Sequence, residues 1–233
     1  MLKVKPILKP LIIINFFLFL LVGCGGGGGS SNSRSDTFPV KQAFRDLNKD
    51  GSTSNFTVTG TINGVSVTGS GSYISSAAVA GTFEGSSAFV VSNTLSGSIT
   101  GNGNTLQLNY SSSSYFDTNY NPIGFEDDES YSTSTIEEWP VTVKAGDSGD
   151  LGIQTNYTDD SKSIMTGTIE SSYAVTAGSL GSVTIKITKL EYNDIHVEVG
   201  SEIETYSLSS TGELKHISTH AVSTDSDLVY EVD

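Results

Sequence analysis

The sequence predicts an all-β fold, either an antiparallel β-sandwich or a partly open barrel, formed as one body or as two β lobes. From residue 38 onward, apolar residues alternate with Ser and Thr, and this period of two is typical of strands with one face in water. Short clusters of Gly, Asn, Asp and Ser interrupt the alternation, as turns do between antiparallel strands. The two patterns together favour a sandwich or a barrel.

The first 23 residues have the two-part layout of an export signal. Three lysines, Lys3, Lys5 and Lys9, stand near the N-terminus, and an apolar stretch follows from residue 11 to residue 22. A membrane-spanning helix needs roughly 20 apolar residues, so this stretch is too short to be one. We therefore expect residues 1–23 to be a signal peptide.

The segment Leu21-Val22-Gly23-Cys24 resembles the lipobox of bacterial lipoproteins, in which a small residue precedes the cysteine that becomes the mature N-terminus. The resemblance implies cleavage before Cys24 and lipidation of its thiol, and about two lipid signals suffice for a stable membrane anchor. Cys24 is the only cysteine of the chain, so an intramolecular disulfide is excluded. Gly25 stands where the family's inner-membrane retention signal has aspartate, which implies the outer membrane in a cell that has one.

Residues 24–37 are predicted to be a flexible tether between the lipid and the folded domain. The run is rich in Gly and Ser and carries almost no apolar side chain to bury. A dozen such residues reach on the order of 20 Å, at about 5–6 Å times the square root of their number. The β-rich domain is expected to span residues 38–233.

The mature chain is strongly acidic, which limits its partners. The whole chain has 12 basic and 26 acidic residues, a formal net charge of −14, and removal of the three signal lysines takes this to −17. Phosphate backbones and anionic headgroups would be repelled. We therefore expect no nucleic acid as a partner. The expected partners are the membrane, through the N-terminal lipid, and an envelope protein or glycan.

A short acidic pattern precedes the first predicted strand. Asp46, Asn48 and Asp50 alternate ahead of Gly51, as oxygen ligands do at the opening of a calcium loop. The EF-hand pattern then fails, because its twelfth position is Thr57 where that loop has glutamate. Two interpretations remain: a weak calcium site that borrows another carboxylate, or an Asx-rich turn. Calcium is the only cofactor that the sequence suggests.

The clearest strands form a hairpin from residue 56 to residue 68. Its centre is Asn63-Gly64, and both residues tolerate the positive φ angles of a type I′ turn. The same alternation predicts further strands at 77–84, 88–100, 105–110, 152–157, 165–175, 183–190, 195–199, 203–208, 214–222 and 228–232. The acidic run at 126–129 is interpreted as a surface loop, and a boundary between two lobes is placed within residues 124–138.

Two further segments, 115–124 and 140–149, resemble signatures of a group of uncharacterised exported bacterial lipoproteins of unknown function. The resemblance implies an exported lipoprotein and no particular activity. Read from the residues alone, Asn121-Pro122 and Gly146-Asp147 are typical of turns.

The sequence predicts no catalytic residues. Residues 146–149 are similar to the nucleophile segment of chymotrypsin-like proteases, but all three histidines follow Ser148, whereas that family's histidine precedes its serine. Glu137 and Glu138 would serve a hydrolase only if two carboxyl groups faced each other across a cleft. Neighbouring residues of a strand point to opposite faces, so this pair does not meet that condition.

Histidine and tyrosine side chains are candidate groups for binding a metal ion or an organic ligand. His216 and His220 would lie about 13 Å apart in a strand, too far to share a zinc ion, so both are interpreted as surface residues. The tyrosines between Tyr110 and Tyr131 could line a face that binds sugar or peptide, since tyrosine has an apolar ring and a polar tip. The alternative is that they are ordinary strand residues.

Three functions are consistent with the sequence. The leading one is a membrane-anchored envelope lipoprotein that binds or scaffolds and is not an enzyme. The second is a β half-barrel that carries a lipid or another small ligand, and it requires an apolar cavity inside a curved sheet. The third is an envelope hydrolase that uses paired carboxylates.

Overall fold

The computed structural model describes residues 37–179 and 181–233. The predicted signal peptide, Cys24 and the tether as far as residue 36 lie outside the described residues. Within the described part, no helix is long and apolar enough to cross a membrane.

One helix precedes thirteen strands in the described residues. The helix is α1 (Val40–Asp50). The strands are β1 (Ser52–Ile62), β2 (Val65–Ser75), β3 (Val79–Phe83), β4 (Ser86–Gly101), β5 (Asn104–Phe116), β6 (Pro122–Asp127), β7 (Tyr131–Ile136), β8 (Ser148–Tyr157), β9 (Met165–Ala177), β10 (Ser182–Asn193), β11 (Glu198–Ser209), β12 (Leu214–Ser223) and β13 (Ser226–Val232).

The strands form a single antiparallel sheet that closes into a barrel. The sheet runs in the order β2, β1, β13 and then down in sequence to β3. It closes because β4 also pairs with β2, so twelve strands make the ring and β3 is an extra strand. The all-β prediction is confirmed, and of the predicted alternatives the structure is a barrel that is closed and not partly open.

The long strand β4 explains how the ring and the extra strand coexist. Its residues 93–101 pair with β2, whereas its residues 86–90 pair with β3 along the same edge. Its other edge pairs with β5 over the full length. β3 therefore continues the path of β2 along β4.

The predicted first hairpin is confirmed. Asn63 and Gly64 have φ angles of 51° and 73°, both in the left-handed region that a type I′ turn needs. In β1, Phe56 and Val58 are buried, and Thr57 between them is exposed, as is Thr59. One face of this strand therefore lines the barrel and the other meets solvent.

Two sequence predictions of local structure were wrong in part. Residues 195–199 were expected to be a strand, but Ile195 lies in the β10–β11 turn and is 74% exposed. The reason is the Asn193 side chain, whose Oδ1 accepts hydrogen bonds from the backbone N–H groups of Ile195 and Val197. The expected acidic loop is half strand, since Glu126 and Asp127 end β6. Residues 124–138, the predicted lobe boundary, contain most of β6 and all of β7.

The helix α1 covers one end of the barrel. Its buried apolar residues follow the spacing i, i+3, i+4, i+7 at Val40, Ala43, Phe44 and Leu47, which gives one apolar face. That face packs on inward residues of the neighbouring strands, which include Ile185, Ile187, Tyr206 and Leu208. The helix therefore covers this end of the barrel, and the apolar side chains of helix and strands shield each other from water.

Two other apolar clusters complete the core. One fills the barrel between β1, β2, β4, β12 and β13 around Phe56, Leu95 and Tyr230. The other packs Phe83 of β3 on Tyr115 and Tyr131, with ring centroids 4.5 and 5.5 Å apart. The extra strand is thus fixed to the barrel by aromatic contacts.

Candidate functional site

A pocket of about 120 Å³ lies beside α1, where the helix meets the inner side of β7 to β11. Two groups of side chains line it, one apolar and one polar. The apolar group contains Phe44, Trp139, Leu151, Ile169 and Ile187. The polar group contains Asn48, Gln154, Ser171, Lys189 and Glu204. An apolar wall with a few fixed polar groups is the usual make-up of a small-molecule site.

Aromatic stacking holds the wall of the pocket. The Phe44 ring stacks on Trp139 with centroids 4.6 Å apart and an interplanar angle of 9°. Trp139 also contacts Tyr173 at 4.8 Å, and Phe44 meets Tyr206 edge-on at 5.4 Å. Trp139 is the only tryptophan of the chain. Its fluorescence therefore reports on this pocket alone.

Lys189 of β10 forms the charged end of the pocket together with two glutamates of β11. Its Nζ lies 2.7 Å from Oε1 of Glu202 and 2.6 Å from Oε1 of Glu204. The hydroxyl of Tyr206 donates to Oε2 of Glu204 at 3.0 Å. Glu202, Glu204 and Tyr206 alternate on one strand, so all three point into the barrel. The ion pairs are therefore shielded from water.

Burial and charge shift the pKa values of these groups. Burial alone would lower the pKa of Lys189, but the carboxylates of Glu202 and Glu204 outweigh it and the pKa is raised. Burial raises the pKa of Glu202 against the effect of Lys189. Burial, and next the charge of Glu202, raises the pKa of Glu191 to about 7. Lys189 is thus held as a cation, and Glu202 and Glu191 are weaker acids than an ordinary glutamate.

His216 also lies inside the barrel, so its interpretation as a surface residue was wrong. It is buried, its ring packs against Tyr206, and its Nε2 lies 3.0 Å from Oγ1 of Thr219. Burial lowers its pKa to about 4. A register shift between β11 and β12 turns His216 inward, which sequence alternation alone does not show. His220 is exposed as predicted and lies 2.8 Å from Asp227.

Asn48 gives the pocket a hydrogen-bond acceptor. The side chain is 6% exposed, and its Nδ2 donates to the backbone carbonyl of Tyr120 at 3.4 Å. A carbonyl only accepts, so this contact fixes the amide with Oδ1 as the free end. Oδ1 has no hydrogen-bond partner among the described residues. Gln154 is arranged similarly, since its Nε2 donates to Asn156 at 2.8 Å.

The three residues predicted as calcium ligands do not converge. All lie in α1, where residues two apart point about 200° away from each other at 3.6 residues per turn. Asp46 is exposed and accepts from Gln42 at 2.6 Å, whereas Asn48 faces the pocket. Asp50 is exposed at the end of the helix. No group of three or more His, Cys, Asp or Glu side chains in the described ranges is arranged to hold a metal ion.

The tyrosines considered for sugar or peptide binding are divided among three places. Tyr110 donates to Asp127, and Tyr115 and Tyr131 pack against Phe83. Tyr120 lines the pocket and stacks on Phe89 with centroids 4.5 Å apart. These tyrosines do not form one continuous face. Only Tyr120 belongs to the candidate site.

Glu137 and Glu138 lie near the mouth of the pocket. Glu137 is one of its lining residues, and Glu138 pairs with Lys41 of α1 at 2.6 Å. One carboxylate is therefore neutralised by a lysine, and the two do not form the facing pair that glycoside hydrolysis uses.

The charged end of the pocket was not predicted, although the sequence carried a signal for it. Lys189 lies an even number of residues from Val183, Ile185 and Ile187 in β10. Alternation therefore places its side chain on the same buried face. Glu202 and Glu204 likewise lie an even number of residues from Tyr206 and Leu208 in β11. Charges of opposite sign on the inner faces of neighbouring strands indicate a buried ion pair.

Comparison with models of protein families gives no match, and comparison with curated proteins gives none. Among solved structures, the chain is similar to a protein of Bacteroides fragilis NCTC 9343 named as an exported protein with a YmcC-like fold. The alignment covers 79% of this chain and 95% of that one, with 11% identity and a TM-score of 0.39. A likeness this remote indicates neither a family nor a ligand.

Proposed function

We propose that this protein is a lipid-anchored envelope protein whose barrel binds a small ligand beside α1 and catalyses no reaction. The observation that supports binding is the pocket itself, with an apolar wall on one side and buried charged groups at its end. Such a combination orients a ligand through a few polar contacts while its body is desolvated.

The volume of the pocket favours a small ligand over a lipid. A cavity of about 150 Å³ holds a benzene molecule, and sites for drug-sized ligands measure roughly 300–1,000 Å³. At about 120 Å³, this pocket suits a group of a few heavy atoms. The cluster around Phe56 and the residues that pack on α1 occupy other parts of the interior.

The arrangement of the charged groups supports binding without catalysis. Both carboxylates near Lys189 accept hydrogen bonds from it, and Glu204 also accepts from Tyr206. A general base needs a free carboxylate within reach of the proton that it removes. Here Lys189 binds one oxygen of each carboxylate, which fixes both carboxylates in place and makes them poorer bases.

The lipid anchor is tested by replacing the only cysteine of the chain. We expect Cys24→Ser to abolish incorporation of labelled palmitate and to release the protein from the membrane fraction of its host. A Ser30→Ala variant in the tether is the control and should retain both. A Cys24→Ser protein that still incorporates palmitate would refute the anchor.

Ligand binding is tested through the fluorescence of Trp139. We expect small amphiphilic compounds to change this fluorescence in a saturable way, because Trp139 lines the pocket. Ser171→Leu should abolish the change, because its larger side chain fills the pocket from β9. Ser172→Leu is the matched control, since neighbouring strand residues point to opposite faces.

Three compounds of similar size and different charge, n-butylammonium, 1-butanol and butyrate, serve as the first panel. The proposal is contradicted when none of them changes the fluorescence, or when Ser171→Leu and Ser172→Leu respond alike. Circular dichroism of each variant shows whether its barrel is intact.

A further inference from the structure

We propose that the ligand of the pocket is a small primary amine, bound as its ammonium ion. This inference rests on the proposed function, because it specifies the chemistry of the same pocket. Three features support it: the sign of the buried charge, the acceptor atoms of the wall and the apolar lining.

When its carboxyl groups are ionised, the cluster around Lys189 at the end of the pocket carries an excess of negative charge. Lys189 supplies one positive charge, and Glu202 and Glu204 bind it through one carboxylate oxygen each. The ion-pair cluster therefore has one more carboxyl group than cation, and Glu191 is a third carboxyl close enough to interact with Glu202. A buried anion would be repelled here, whereas a cation would balance the excess.

Glu204 and Glu202 retain room for another donor. A carboxylate has about four lone-pair sites. Glu204 accepts from Lys189 and Tyr206, and Oε2 of Glu202 has no hydrogen-bond partner among the described residues. Glu204 lines the pocket directly. An ammonium group there would form a charge-assisted hydrogen bond without displacing Lys189.

Two amide side chains of the wall, Asn48 and Gln154, each offer an acceptor oxygen. Asn48 uses its NH₂ group on the Tyr120 carbonyl, so that its buried Oδ1 is left for a ligand. Gln154 uses its NH₂ group on Asn156. A buried acceptor without a donor costs about 1–3 kcal/mol. A ligand with several N–H groups satisfies these atoms, whereas a carboxylate or an ether does not.

The apolar part of the lining favours an amine with a hydrocarbon body over a bare inorganic cation. Phe44, Trp139 and Ile187 offer a metal ion or its hydration shell no oxygen ligands. A compact alkyl or aryl group buried on them is stabilised by removal of its surface from water. The volume of about 120 Å³ limits that group to a few carbon atoms.

The test compares the same three probes on the mature chain carrying Cys24→Ser, which keeps the tether and the barrel. Titrations followed by Trp139 fluorescence should show n-butylammonium binding at least about tenfold more tightly than 1-butanol, as expected for one charge-assisted hydrogen bond. Butyrate should not bind. Ser171→Leu should abolish the response to all probes.

A second variant separates hydrogen bonding from shape. Asn48→Leu removes the acceptor at nearly constant volume and should weaken n-butylammonium binding about tenfold, and should weaken 1-butanol binding less because its single O–H donor is neutral. Gln154→Leu is the alternative variant where Asn48→Leu does not fold, with the same expectation.

Three results would overturn the inference. Equal affinity for n-butylammonium and 1-butanol, or preference for butyrate, would refute the amine and leave a ligand-binding pocket. Unchanged n-butylammonium affinity in Asn48→Leu, or in Gln154→Leu where that variant replaces it, would refute the acceptor role. Absence of any response to all three probes would overturn both the amine and the proposed binding function.

Discussion

Lys189 is buried inside the barrel between the carboxylates of Glu202 and Glu204. Removing charges from water costs several kcal/mol per ion, and only good geometry and additional hydrogen bonds offset that cost. Here the two Nζ–Oε distances are 2.6 and 2.7 Å, and Tyr206 adds a hydrogen bond to Glu204. The barrel therefore keeps these charges in one fixed geometry beside the pocket.

Glu191 makes the stability of the barrel depend on pH, and the substitution Glu191→Gln removes this dependence. Its folded-state pKa is raised to about 7 from a usual value of 4.5, first by burial. The folded carboxyl binds its proton more tightly than the unfolded one, so its stabilising contribution is complete below about pH 4.5 and is lost as the pH rises towards 7.

We expect Glu191→Gln to gain stability relative to the natural protein between pH 4.5 and 7.5. One pKa unit corresponds to about 1.4 kcal/mol, and allowing for the partial exposure of this side chain the relative gain is about 1–2 kcal/mol. Urea unfolding of both proteins at several pH values measures it. Parallel stability profiles for the two proteins would contradict the raised pKa.

His216 has the opposite dependence. Burial lowers its pKa to about 4 from 6.5, so its stabilising contribution is present above pH 6.5 and is lost as the pH falls towards 4. The two effects oppose each other between pH 4.5 and 6.5. The Glu191→Gln comparison isolates one of them, because His216 is present in both proteins.

Residues of the site were only partly predictable from the sequence. The alternation along the strands places Lys189, Glu202 and Glu204 on buried faces, so their burial was predictable. The role of Asn48 was not predictable, because its position depends on how α1 lies across the barrel end and on a contact with Tyr120, 72 residues further along the chain. Local patterns do not encode such a contact.

At the scale of elements, β1 and β2 fit together because glycines on β2 make room for Phe56. A Cβ atom at Gly71 would lie 2.5 Å from Cζ of Phe56 and 2.3 Å from the backbone oxygen of Ser96. Gly71 pairs with Phe56 in the register of the two strands. The aromatic ring therefore lies directly over a residue that has no side chain.

Gly71→Ala tests this packing. The added methyl has no space, so we expect a loss of about 1–3 kcal/mol in the free energy of unfolding, as for overpacked cores. Ser70→Ala, one residue earlier on the exposed face, should change it by less than about 0.5 kcal/mol. Equal unfolding midpoints in denaturant for the two variants would show that Phe56 does not constrain Gly71.

Elements with local signals were predictable, and elements that depend on distant partners were not. The β1–β2 hairpin has alternation and an Asn-Gly turn in one short segment. The segment that contains β6, β7 and the turn between them has a proline, a glycine and four acidic residues close together. Both strands form because each pairs with its neighbours in the sheet. The apolar spacing of α1 is helical, but the acidic pattern at its end favoured a loop.

At the scale of the whole molecule, the barrel closes through one long strand. β4 pairs with β2, β3 and β5, and the β2–β4 contact replaces the edge that an open sheet would expose. Closure removes the edges that an open sheet of the twelve ring strands would expose, and among the described residues the short strand β3 alone ends the sheet. The sequence predicted the strands, whereas closure depends on pairing between residues far apart in the chain.

The most direct test of ligand binding is a two-dimensional ¹H–¹⁵N NMR titration of the mature Cys24→Ser chain with n-butylammonium. We predict saturable shifts of the Trp139 indole N–H and the Asn48 side-chain NH₂, with the signals of the Phe83 cluster unchanged. Shifts spread over exposed acidic residues, with Trp139 and Asn48 unaffected, would contradict a binding pocket beside α1.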